Sequence, residues 1–97
     1  MSKRGDEFCE FSELVLEHIE NYTVPQYGDA PNDQVEDWTA AECVNRAIRR
    51  YVERYSVNRR GRIEQLRDLL KIAHYAAIAF AKLQPSEDEI KILTKGE

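Results

Sequence analysis

The stretch RIEQLRDLLKIAHYAAIAFAKLQ, Arg62 to Gln84, contains no glycine and no proline and repeats apolar residues at three- and four-residue steps. Ile63, Leu66, Leu70, Ala73, Ala77 and Phe80 line one face of a helix, and Leu69, Ile72, Ala76, Ala79 and Leu83 line a neighbouring face. A helix apolar over so much of its circumference belongs at the centre of a bundle, because each stripe needs a neighbour to take it out of water. In a chain of 97 residues one side of that helix lacks an intrachain partner, which predicts a bundle completed as a homodimer or larger homo-oligomer.

Working outward, the flanking segments read as helices too. Phe8, Phe11, Val15, Ile19 and Tyr22 form one apolar face of a first helix over 6–22, and Glu10, Glu13, Glu17 and Glu20 fall on the opposite side. Thr39 to Glu42 reads TAAE, a capping box that opens a second helix over 39–57, with Trp38 placed to staple against Cys43. Ala41, Val44, Ile48, Tyr51, Val52 and Tyr55 make its expected buried stripe, and Asn58 or Gly61 can adopt the left-handed backbone of a helix stop. Pro85 ends the third helix at 62–84, and SEDE at Ser86 to Glu89 caps a short fourth over 86–93. No strand alternation and no internal repeat is visible, so residues 1–97 read as one all-α domain, a small bundle of three main helices plus a short C-terminal one. The connection 23–37, TVPQYGDAPNDQVED, is turn chemistry and long for a link inside a small domain, which marks it as a candidate functional loop.

Several function classes drop out on composition. The longest nearly unbroken apolar run, Ile72 to Ala81, is about half the ~20 residues of a membrane span. No apolar region follows the basic start MSKRGDEF, so no secretory signal is expected and a cytoplasmic location follows. Cys9 and Cys43, in different helices and without CxxC spacing, read as ordinary buried thiols. Neither His18 nor His74 has a nearby serine or cysteine pattern, and no glycine-rich phosphate loop is present.

Charge is strongly polarised. Met1 to Glu42 carries two basic and eleven acidic residues, whereas Arg46 to Arg67 carries eight arginines against Glu53 and Glu64, in a chain of net charge −4. Arg46, Arg49, Arg50 and Arg54 lie on the polar side of the second helix, and Arg59, Arg60 and Arg62 follow in the turn. Arginine's planar fork suits phosphate or carboxylate oxygens, so the cluster fits a phosphorylated ligand; equally, such arginines pair with acidic stripes of neighbouring helices. Glu64 and Asp68, one turn apart next to Lys71 and Tyr75, could hold a magnesium ion through carboxylate oxygens or could be helix-surface ion pairs. His74 reads either as a part-buried histidine satisfied by a hydrogen bond or as a contact to a ligand phosphate or base. Overall acidity and the lack of interleaved exposed aromatics argue against nucleic acid as the partner.

QYGDAPND (Gln26 to Asp33), then Trp38, then an arginine-bearing helix, then DLLKIAHYAAIAF (Asp68 to Phe80), resembles small all-α domains of the MazG-like, nucleotide-modification-associated kind. The resemblance implies a helical oligomer that handles nucleoside triphosphates, with magnesium held by carboxylates. It implies further that Tyr27, Gly28, Asp29 and Asn32 form the loop, that Asp68 is the best-matched carboxylate, and that Tyr75 packs near the base or the helix interface. Where MazG-like pyrophosphohydrolases offer an ExxD pair, this chain has Glu64 and Asp68 four apart and Lys71 in place of an acid. Binding of a nucleotide through Arg46 to Arg62, the loop, Lys71 and His74, with weak or absent pyrophosphohydrolase activity, is the resulting expectation. A non-catalytic homo-oligomeric interaction module is the alternative.

Overall fold

Ser2 opens the first helix, its Oγ accepting the Gly5 amide at 3.0 Å. The computed structural model describes residues 1–27, 34–57 and 59–95. In it this helix is α-helical over Lys3–His18, π-helical over Ile19–Thr23 and α-helical again over Val24–Tyr27, the three together being α1. It is longer at both ends than the expected 6–22, and the first five residues of the predicted loop belong to it. Pro25 hid this extension, because a proline ring normally collides with the carbonyl four residues back and donates no hydrogen bond. Just ahead of it, the Val24 amide reaches back five residues to the Ile19 carbonyl, and the wider π turn makes room for the ring.

After a 3-10 turn at Gln34–Asp37, the predicted capping box at Thr39 is present. Thr39 Oγ1 accepts the Glu42 amide at 3.1 Å and Glu42 Oε1 accepts the Thr39 amide at 3.2 Å. The helix it starts, α2, consists of Ala40–Glu42, a π-helical Cys43–Ile48 and Arg49–Val57. Gly61, at φ 90° and ψ 176°, then turns the chain into α3, Arg62–Lys82, through a backbone conformation essentially closed to other residues. Gln84, left-handed at φ 49°, and Pro85 end α3 two residues sooner than expected. Ser86 caps α4, Glu87–Thr94, with the second predicted capping box, Glu89 closing it at 2.9 Å. All regular elements among the described residues are helical, and none is long and apolar enough to cross a membrane.

α3 packs against both α1 and α2, which makes it the central helix as its composition predicted. Its inward side mixes charge with hydrocarbon, since Ala79 is buried and Leu70, Ile72, Ala73 and Ile78 are half-buried beside Asp68 and Lys71. Among the described residues the buried ones are Cys43 and Ala47 of α2 with Ala79 and Asp68 of α3, while Ile63, Leu66, Leu69, Phe80 and Leu83 are exposed, and Cys9, expected to be buried, is exposed on the outer side of α1. Of the expected stripe of α2, Ile48 and Tyr51 are half-buried, whereas Ala41, Val44, Val52 and Tyr55 are exposed, and the inward line runs also through Cys43, Ala47 and Arg54. On α1, Phe8 is exposed and Phe11, Val15, Ile19 and Tyr22 are half-buried. The physical reason is that ion pairs and aromatic rings satisfy the charged residues of α3 inside the chain, leaving many of its large apolar side chains outside.

Candidate anion site

Asp68 is 3% exposed and accepts a hydrogen bond from Arg54 Nη2 at 2.8 Å, joining α3 to α2. Arg54 in turn lies 5.1 Å from the centre of the Tyr51 ring. One turn on from Asp68, the Lys71 ammonium sits between two rings, 5.4 Å from Tyr51 of α2 and 5.8 Å from Tyr22 of α1. Arg67 stands over the same Tyr22 ring at 5.9 Å. Tyr75 extends the aromatic wall beside Tyr51 at 5.8 Å, and His18 stacks on Tyr22 at 5.0 Å. All three helices therefore converge on a cluster of three cations and three phenol rings.

Electrostatics in this cluster favour an anion. Burial, together with the Arg54 charge, pushes the Lys71 ammonium below the usual lysine range, against the pull of Asp68 and Glu64. His18 is held low by burial and by the Lys71 and Arg67 charges, and His74 by burial and by His18. Among the described residues no carboxylate lies within ion-pair distance of Lys71. Among the described residues, the side-chain atoms His18 Nε2 and Arg54 Nε are buried without a hydrogen-bond partner. A buried donor left unmade is costly, so Arg54 Nε is set to gain from an incoming acceptor, and His18 Nε2 from a partner suited to its tautomer.

The two carboxylates proposed for magnesium are engaged by arginine. Glu64 takes Arg67 on Oε1 at 2.6 Å and Arg60 on Oε2 at 3.2 Å, and the Arg67 hydrogen bond with these charges holds its carboxyl below the usual range. With Asp68 held by Arg54, and with no group of three potential metal ligands among the described residues, this donor set fits a divalent cation poorly. Its chemistry is that of an arginine and lysine cluster around aromatic faces.

The arginines expected to act together separate into two groups. Arg54 and Arg60 join the cluster, one at its floor and one at its edge through Glu64. Arg46, exposed, pairs with Glu42 at 3.3 Å and covers the Trp38 ring at 5.7 Å; Arg49 donates to Asn45 at 3.0 Å. Arg50, Arg59 and Arg62 are exposed. Lys71, His74, Glu64 and Asp68 are all brought to the cluster or its border. Tyr27 ends α1, while Gly28, Asp29, Asn32 and Asn58 lie outside the described residues. Sequence reasoning missed Tyr22, Tyr51, His18 and Arg67 as site residues. The available signal was the spacing of His18 and Tyr22 one turn apart, but the two tyrosines also satisfied the apolar pattern and were absorbed into it.

The chain matches no family model, no curated protein and no solved structure.

Proposed function

We propose that this chain binds a nucleotide or another phosphorylated ligand in the cluster between α1, α2 and α3, in the manner of a MazG-like protein with weak or absent pyrophosphohydrolase activity. The observation that carries the reading is Lys71, half-buried between Tyr22 and Tyr51 with Arg54 and Arg67 beside those rings and, among the described residues, no carboxylate paired to it. Arginine and lysine supply charge-assisted donors for phosphate oxygens, and a phenol face accepts a base by stacking. Engagement of Glu64 and Asp68 by arginines supports binding over metal-assisted hydrolysis. The proposal is tested by thermal unfolding against nucleoside mono- and triphosphates, with and without magnesium. At 100 times its dissociation constant a ligand stabilises the native state by about 2.7 kcal/mol. That shift is expected in the wild type and lost in Lys71→Met; a flat wild-type panel would overturn the reading.

A second reading, a non-catalytic homo-oligomeric interaction module, is favoured by a different observation. Among the described residues, large apolar side chains stand exposed along α3 and α2.

A further inference from the structure

We infer that α3 pairs antiparallel with α3 of a second copy, across a two-fold axis at Ala73. This rests on the second reading and gives it an interface, an orientation and a register. Ile63, Leu66, Leu69, Phe80 and Leu83 are between 41% and 72% exposed, and they form one stripe down the side of α3 turned away from α1 and α2. A second copy is the occupant that the dimensions fit. The chain exposes 7709 Å², whereas a compact monomer of 11.3 kDa exposes about 5,700 Å². Its radius of gyration is 14.9 Å, against about 12.5 Å for a compact domain of this length. An excess of about 2,000 Å² is of the size that each chain loses in an obligate homodimer.

The shape of the stripe sets the register. Ile63 and Leu83 are equally far in sequence from Ala73, with the small residues Ala73, Ala76 and Ala77 between the larger ends, so two copies can approach closely at the middle. An antiparallel pair centred there sets Phe80 opposite the partner's Leu66 and Leu83 opposite the partner's Ile63. At that end of α3 a groove lined by Phe80, Leu83, Pro85, Ile92 and Leu93 lies open to receive the partner's Ile63.

Charge sets the direction. Arg59 and Arg62, exposed and without an ion pair among the described residues, stand at the start of α3, and the acidic turn Glu87, Asp88, Glu89 stands beyond its end. Antiparallel pairing brings each basic end against the partner's acidic turn, while parallel pairing sets basic against basic. Ala73 and Lys71 are about 200° apart around the helix, so the pairing leaves the anion cluster uncovered.

The test uses the whole chain carrying Cys9→Ser, which removes the exposed thiol. Sedimentation equilibrium is expected to give twice the 11.3 kDa chain mass. Under diamide, Ala73→Cys is expected to cross-link to itself, since only a residue on the axis meets its own copy within disulfide reach. Ile63→Cys is expected to cross-link when mixed with Leu83→Cys and not alone. A chain that stays monomeric overturns both the interface and the self-association it rests on. A dimer in which Ile63→Cys self-links as readily as Ala73→Cys overturns the antiparallel register and leaves self-association standing.

Discussion

The two sides of α3 have exchanged the roles that their compositions suggest. Toward α1 and α2 the helix presents Glu64, Asp68, Lys71 and Tyr75, and toward water it presents Ile63, Leu66, Leu69, Phe80 and Leu83. A buried polar face is tolerable only when every charge on it is answered, and Arg54 and the tyrosine rings answer most of them. The apolar face needs no such matching and is satisfied by any complementary apolar surface. Specificity inside the chain thus comes from ion pairs, while the drive to bury hydrocarbon is left for another surface.

This contrast breaks most visibly at Arg54. Arg54→Met leaves the Asp68 carboxylate buried without its partner, and a loss of about 3 kcal/mol is expected in urea unfolding, the same at every protein concentration. Adding Asp68→Leu is expected to recover most of that loss, because replacing both partners removes the stranded charge. On the other face, Phe80→Ser is expected to cost about 2 kcal/mol per chain where copies pair and almost nothing on dilution, read from melting temperature against concentration. A concentration-independent loss there would mean that the outward face is stabilised within one chain.

The smallest expected effect comes from the histidines of the inward face. His18 and His74 have lowered values in the folded chain, so their neutral forms are preferred on folding. Their contribution is present above about pH 6.5, the unfolded value, and is lost as pH falls through the lowered folded values. Unfolding at pH 7.5 and 5.5 is expected to show the drop, and His18→Gln with His74→Gln to flatten it. Glu64 and Glu89 are lowered as well, but their loss falls in the more acidic carboxylate window and leaves this comparison clean.

The parts of this architecture that depend on near neighbours were legible in the sequence. The boxes at Thr39 and Ser86 and the stop at Pro85 involve residues within a few positions of one another, and each forms as the pattern predicts, while Gly61 takes the expected positive φ but with an extended ψ of 176° instead of a left-handed helical one. The extension of α1 through Pro25 was not legible, because it depends on one widened turn rather than on composition. Which face of α3 turns inward was not legible either, since the Arg54 and Asp68 pairing outweighs the apolar periodicity. For the site, Lys71, His74 and Asp68 stood out as polar residues in an apolar helix. Tyr22, Tyr51, His18 and Arg67 join them only through the convergence of three helices.

Gly61 and Gln84 fix the length of α3 as well as its ends. Twenty-one residues at 1.5 Å each make a rod of about 31 Å, with arginines at one tip and an acidic turn past the other. At physiological salt, charges are screened over about 8 Å, so the two tips of one rod do not feel each other. The helix acts as a spacer that keeps opposite charges of the same molecule out of range, and their attraction is left to act between molecules.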